Sequence, residues 1–342
     1  MKLKCLGVES TAHTFGASVV ESDISQKGYE KSTCDILSNE KDTYTTEKGG
    51  LIPRELAEHH YKVAPIVVKE ALSKAGVKLS DIDIIAFSQG PGIGNALRCG
   101  AVTARQLALS TGKPLIGVNH CIAHIEIGRK LCAATDPVML YASGANTQII
   151  CYENEYYRVF GETMDIGIGN FLDNFGRELG LGFPAGPVLD KEYFKGTKLI
   201  NLPYTVKGMD LAFSGLLTSA KKNIPLIENG KMKREDLIHS TLHNAFAMLT
   251  EVTERALAHT EKKEVILGGG VGCSKALQEM VGKMCEERGA KLFVPPSSVM
   301  ADNAAMIAWT GLVLNTKGHK LNPSSAKILP KQRTDDVKVD WR

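Results

Sequence analysis

The 342-residue sequence contains no apolar run approaching the roughly 20 residues that span a bilayer, which excludes a helical membrane anchor. Its first residues, MKLKCLGVES, lack the long apolar stretch and small-residue cleavage site of a secretory signal. There is little net charge: 41 basic and 38 acidic residues leave +3, which neither requires nor rules out a nucleic-acid partner. The eight cysteines (Cys5, Cys34, Cys99, Cys121, Cys132, Cys151, Cys273 and Cys285) form no C-x-x-C pair, so a zinc ribbon is excluded. Most sit inside apolar runs, as buried free thiols do, and this pattern predicts a reducing cytoplasmic setting. Two glycine-rich turns lack the Gly-Lys-Ser/Thr of a P-loop and the spacing of a dinucleotide fingerprint.

What is present is a regular alternation of strand and helix signals, which predicts an α/β class. Strands are expected at 3–8 and 16–20, flanking a polar turn at 9–13. A long helix is expected at 53–75, with Pro53 in its first turn. Further strands are expected at 83–88 and 114–118, a helix follows the Gly/Pro turn QGPGIGNALRCG as far as Leu109, and Asn119 can cap the next helix. Near residue 138 the pattern begins again. VMLYASGANTQIICYEN repeats the strand–turn–strand form of LGVESTAHTFGASVVES, which suggests an internal duplication. A helix is expected at 234–260, then strand, triple glycine and helix in EVILGGGVGCSKAL, and a last helix from Asp302 to Leu314. The polar tail from Ser324 onward reads as extended or linker-like.

Glycines between a strand and a helix let backbone N–H groups approach phosphate oxygens. Two such turns occur, at 90–94 and 268–272. Histidines at i and i+4 share one helix face, so His120 and His124 can share a metal. The metalloprotease version of this spacing places a glutamate base second, and here that position is Cys121. Asp302 can add a carboxylate or cap a helix, and Tyr141 can add a phenol or fill a core. His59 and His60 are assigned to a packed or solvated helix face outside the site. Lys207, Lys221, Lys222, Lys231, Lys233 and Arg234 form a basic cluster, read either as solvated surface or as a contact for RNA.

Nine runs, in order along the chain, carry a resemblance: GVESTAHTFGASVV, GGLIPRELAEHH, GPGIGNALRCG, NHCIAHIEIGR, LYASGANTQI, DNFGRELGLGFPAGPVLD, GMDLAFSGLLTSA, ILGGGVGCSKAL and ADNAAMIAW, with TDDVKVDWR closing the chain. They resemble the universal tRNA threonylcarbamoyl-adenosine transferases, once described as sialoglycoprotein endopeptidases. The AHTFG opening is similar to the archaeal and eukaryotic branch, which works within the KEOPS complex. The resemblance implies an actin-like ATPase fold, with two duplicated domains around a nucleotide cleft: residues 1–135 completed by 300–325, residues 136–299, and a tail at 326–342.

It also implies a divalent metal, usually iron with zinc or magnesium as alternatives, held by His120, His124, Tyr141 and Asp302. ATP or threonylcarbamoyl-adenylate is expected against Tyr141, Ala142, Ser143, Gly144, Ala145, Asn146, Asp173, Gly186, Asp190, Gly269, Gly270 and Ser274. Three positions depart from the family pattern: Ser10 and Ala145 where glycine is expected, and Ser274 where asparagine is. The implied activity is transfer of threonylcarbamoyl from the adenylate to the N6 amine of the adenosine 3′ of a tRNA anticodon, with release of AMP. Implied partners are tRNA, a kinase-like ATPase, a small dimerising subunit and an accessory subunit. The helical faces at 53–75 and 125–131 are the expected docking surface. No residue identifies itself as a general base. A kinase or ATPase, a scaffold, and a metalloprotease are the competing readings.

Overall fold

The computed structural model describes residues 2–45 and 52–342. The first three residues of the GGLIPRELAEHH run lie outside the described residues. The first sheet contains β1 (Leu3–Glu9), β2 (Thr14–Ser22), β3 (Asp35–Thr43), β4 (Ile84–Gly90) and β5 (Leu115–Asn119), in the order β3-β2-β1-β4-β5. Strands β1, β2 and β3 pair antiparallel, while β4 and β5 add in parallel. Its helices are α1 (Ile24–Lys31), α2 (Pro53–Lys74), α3 (Gly94–Thr111) and α4 (His120–Cys132).

The second sheet repeats this plan. It contains β6 (Val138–Ala142), β7 (Thr147–Glu153) and β8 (Tyr156–Glu162), then, after a short ribbon of β9 (Val206–Lys207) and β10 (Asp210–Leu211), β11 (Glu264–Gly268) and β12 (Lys291–Phe293). Its order, β12-β11-β6-β7-β8, reads in reverse as the first sheet with two added parallel strands on the same side of the starting hairpin. The duplication suggested by the two strand–turn–strand runs is therefore present in the topology. Around this sheet lie α5 (Ile168–Glu178), α6 (Gly186–Tyr193), α7 (Ser214–Glu228), α8 (Arg234–Thr260) and α9 (Lys275–Glu287). The chain then forms α10 (Ser297–Met300) and α11 (Ala304–Thr316).

The central strands are apolar on both faces because helices cover both. Every residue of β6, and all of β2 except Glu21, is buried. Helix α11 returns from the far end of the chain to pack on β1, β2 and β4. It is apolar on every side and wholly buried from Ala304 to Leu314, as a central helix must be. Its seat on β1 requires glycine. A Cβ at Gly7 would lie 2.4 Å from the Ala304 carbonyl oxygen and 2.6 Å from the Ala308 nitrogen. One turn beyond, a Cβ at Gly311 would meet the Ala86 methyl at 2.5 Å.

Two expectations are decided here. The tail is extended but is not a linker. Leu329 donates its N–H to Gln89, Val339 donates to Glu155, and Trp341 is buried. The Trp341 indole N–H reaches Glu126 Oε1 at 2.9 Å. The same carboxylate accepts from the Tyr157 hydroxyl at 2.5 Å and from Arg129 at 3.0 Å, all inside the protein. A buried charge is stable only when it is bonded in this way. The expected docking face at 125–131 is mostly closed: residues 125–129 are buried, Glu126 and Arg129 in this network and Ile125 and Ile127 in the core, and only Lys130 and Leu131 are half-exposed.

The network gives a direct test. Glu126→Ala leaves the Arg129 guanidinium buried without its carboxylate. It should cost about 3–5 kcal/mol in urea unfolding. Trp341→Phe, which removes one hydrogen bond, should cost about 1 kcal/mol.

Candidate metal and nucleotide site

Four elements bring ionisable side chains to one point. Helix α4 begins at the end of β5, where the Asn119 side chain accepts from the Cys121 and Ile122 N–H groups and caps the helix as expected. That fixes His120 and His124 one turn apart, their rings edge-on at 4.8 Å. Tyr141 stands on β6, its hydroxyl 3.1 Å from His120 Nε2. Asp302 precedes α11, its Oδ1 3.4 Å from His120 Nε2 and 3.5 Å from His124 Nε2.

Asp302 does not cap α11. Asn303 does so, accepting from the Met306 N–H at 3.0 Å while its amide donates to Val299 and Ala301 carbonyls. The capping task falls to the neighbouring residue, and the Asp302 carboxylate faces the histidines.

One residue of the cluster was legible only as part of a polar turn. Glu9, fully buried at the end of β1, accepts from His120 Nδ1 at 3.0 Å. Thr11 completes the bracket, donating its hydroxyl and its N–H to Glu9 Oε1, both at 2.6 Å, with the hydroxyl 3.2 Å from His120 Nδ1. A carboxylate on Nδ1 fixes the proton there and leaves the Nε2 lone pair for a metal. The signal was a charged residue closing an apolar strand, which has to be paired when buried.

The donor set fits a divalent ion. The coordinating atoms of His120, His124 and Asp302 lie within 4.8 Å of one another. His124 Nε2 is buried and has no hydrogen-bond partner, an orphan that a metal would satisfy. Two imidazoles, a carboxylate and a phenol suit iron or zinc rather than calcium. Burial disfavours charge on His120, but Glu9 and Asp302 overcome it and hold the imidazole well above its usual pKa. Burial likewise opposes ionisation of Asp302, yet the two imidazoles keep its carboxyl well below the usual range. Burial, helped by the neighbouring His120, lowers His124 against the pull of the Asp302 and Glu9 carboxylates. Where a metalloprotease would carry its glutamate base, Cys121 is buried and its thiol is pushed up by desolvation.

The cluster opens into a cavity of about 1050 Å³ lined by His120, Tyr141 and Asp302 together with the glycine-rich turns. Of the expected nucleotide contacts, Tyr141, Ser143, Gly144, Ala145, Asn146, Asp173, Gly186, Asp190, Gly270 and Ser274 line it. Ala142 and Gly269 do not. Gly269 has a φ of +82°, and its Cβ would strike the Ala142 carbonyl oxygen at 2.3 Å, so it serves the join between β11 and β6. Gly270 has nothing within 4 Å of its Cβ position.

The departures are also placed. Ser274 caps α9, accepting from Leu277, and donates to Asp190 Oδ1 at 2.5 Å. Asp190 also accepts the Lys275 and Ala276 N–H groups, tying α6 to α9. Ala145 is exposed on the cleft wall. The Ser10 hydroxyl is buried without a partner, and nothing in the structure explains it.

Two further expectations are placed, the histidine pair on a packed face and the basic cluster at the surface. His60 is fully buried; its Nε2–H donates to the Ala12 carbonyl at 3.0 Å and so props the loop bearing Thr11. His59 bridges His60 Nδ1 and Asp42 at 3.2 and 2.8 Å. The proposed basic cluster is partly neutralised: Lys221 pairs with Glu178, and Arg234 pairs with Glu192.

The architecture defines a class, the actin-like ATPase fold. HypF of Thermococcus kodakarensis superposes with a TM-score of 0.64 at 14% identity, over 92% of this chain and 48% of that one. The activator of the 2-hydroxyisocaproyl-CoA dehydratase of Clostridium difficile, solved with bound ADPNP, superposes at 0.53 and 12% identity, over 92% and 96%. Within this class the sequence is more specific. The profile for tRNA N6-adenosine threonylcarbamoyltransferase matches residues 34–309. A protein of that name from Thermococcus kodakarensis is 52% identical over 98% of this chain and 99% of its own. A probable bifunctional tRNA threonylcarbamoyladenosine biosynthesis protein of Methanosarcina barkeri is 50% identical over 98% of this chain and 59% of its own. The chain belongs to the tRNA N6-adenosine threonylcarbamoyltransferase family.

Glu9→Gln should weaken metal binding 10- to 100-fold with the fold intact, because the partner that orients His120 loses its charge. His120→Ala with His124→Ala should abolish it. Metal occupancy, read by elemental analysis after dialysis, should rise with pH in the wild type, since His120 must release its Nε2 proton to ligate.

Proposed function

We propose that this chain transfers the threonylcarbamoyl group of threonylcarbamoyl-adenylate to the N6 amine of the adenosine 3′ of a tRNA anticodon. The amine nitrogen bonds to the carbamoyl carbon, the acyl–phosphate oxygen bond breaks, AMP leaves, and the amine gives up a proton. The observation that carries this reading is that one cavity is lined both by His120, Tyr141 and Asp302, which cluster with His124, and by the glycine-rich turns.

His120, His124, Tyr141 and Asp302 would hold the metal, which we assign as iron. When bound, it supplies Lewis acidity at a carbonyl oxygen. Glu9 and Thr11 hold the His120 proton on Nδ1 throughout. The 143–146 turn and Gly270 present backbone and open space to the adenylate phosphate, and Asp190 and Asp173 lie on the same wall. The Asp173 carboxyl is desolvated, which raises its pKa. An aromatic amine is a weak nucleophile, so much of the rate must come from holding it in line.

Partners complete this reading. We assign the chain to a cytoplasmic complex with a kinase-like ATPase, a small dimerising subunit and an accessory subunit. The longer Methanosarcina relative, with its bifunctional name, supports a second activity in close reach. Helices α2 and α3 expose Tyr61, Ile66, Val102 and Leu109, an apolar face suited to another subunit. Among the described residues no helix is long and apolar enough to cross a membrane, and all eight cysteines are free.

The deciding experiment supplies tRNA and threonylcarbamoyl-adenylate, with and without partners. Transfer should require the metal and be strongest with partners; no transfer under any condition would refute the reading. Gly270→Val should weaken ATP binding at least tenfold in calorimetry without lowering the melting temperature, because its side chain enters open cleft. Gly269→Val should instead destabilise the protein.

A further inference from the structure

The cleft has a rim that the proposed chemistry does not use. Helix α6 turns one face to the cavity through Gly186, Pro187, Asp190 and Lys191. The same face, at helical spacing, continues outward to Phe194 and Lys195. Phe194 keeps a helical backbone and is 49% exposed.

A lone exposed phenylalanine is unremarkable. Two independent features set this one apart. The first is an aromatic ladder beneath it. Phe194 meets Tyr193 edge-on at 5.1 Å, and Tyr193 stacks on His239 at 4.5 Å. Tyr193 is itself held, its carbonyl accepting from His239 Nδ1 at 2.9 Å and its hydroxyl 3.3 Å from His243. The Phe194 ring is thus braced, so stacking on it costs little ordering entropy.

The second feature is charge. The acids of this helix are already taken: Asp190 by Ser274 and the start of α9, Glu192 by Arg234 at 3.0 Å. Lys191, Lys195 and Lys198 are exposed, and among the described residues none of their ammonium groups lies within 4 Å of a carboxylate, although the Lys198 backbone N–H donates to Asp236 Oδ1 at 3.1 Å. A braced aromatic face flanked by lysines without ion-pair partners, just beyond the cavity-lining Lys191, is the recognition chemistry of single-stranded nucleic acid.

We propose that Phe194 is a stacking platform for an unpaired base of the anticodon loop beside the target adenosine, and that Lys191, Lys195 and Lys198 grip the adjoining phosphates. This rests on tRNA being the acceptor. It shifts the RNA contact from the Lys207–Arg234 cluster, part of which is ion-paired, to the outer end of α6.

The test measures binding of an anticodon stem-loop RNA to the full chain between about 50 and 200 mM salt. Phe194→Ala should weaken binding about tenfold, Phe194→Tyr should restore it, and Phe194→Leu, apolar but without a π face, should not. Lys195→Gln with Lys198→Gln should lower the slope of log affinity against log salt by about 1.4, near 0.7 per phosphate on a single strand. ATP affinity and metal content should stay at wild-type values in all four. Unchanged RNA affinity and slope would overturn the proposal. So would variants that lose only a protein partner, which would make this a protein interface. Wild-type binding of this kind without any transfer from threonylcarbamoyl-adenylate would refute the proposed reaction and leave the RNA surface standing.

Discussion

Helix α11 reaches its seat on β1 only because residue 7 has no side chain. Gly7, Ala86, Gly311, Ala304 and Ala308 form a seam of small groups along which helix and sheet touch backbone to backbone. The residues just before α11 are carried with it. Asn303 locks the turn by capping the helix and bonding two carbonyls behind it, and Asp302 is left facing the imidazoles. The placing of Asp302 in the candidate metal cluster therefore depends on a packing contact two residues further on, where a Cβ at residue 7 would press on the Ala304 carbonyl.

Helix α4 works in the opposite sense, held at its start and its middle by buried carboxylates. At its start Glu9 takes the Nδ1 proton of His120. At its middle Glu126 gathers Tyr157, Arg129 and Trp341. Tyr157 belongs to the second sheet and Glu9 to the first, so this helix is braced by both halves of the duplicated fold. Such rigidity suits a site whose ligands must keep their distances whether or not an ion is bound.

Much of this was legible in advance, and the failures have physical causes. The helix expected at 234–260 is found with those bounds, and the one expected at 53–75 ends a single residue earlier. Long periodic stretches and glycine-rich turns are local signals. His120 and His124 were visible because i, i+4 spacing is local too. Glu9 was not assigned, since its role depends on a histidine 111 residues away. The tail looked like a linker because its few apolar residues, such as Val339 and Trp341, gain meaning only against Glu126 and Glu155. Gly269 and Gly270 are adjacent and chemically identical. Only the backbone angles and neighbours show that one is a joint and the other part of the cavity wall.

The seam on β1 also bears on how the chain is made. The first sheet is complete by residue 119, but the helix that covers it ends at residue 316. At about 5–20 residues per second, the nascent sheet would wait roughly 10–40 s with an apolar face uncovered. Pairing partners so far apart in sequence also form slowly. Asp302 follows His120 by 182 residues, so the order of synthesis leaves the candidate metal cluster incomplete until the second sheet has been made.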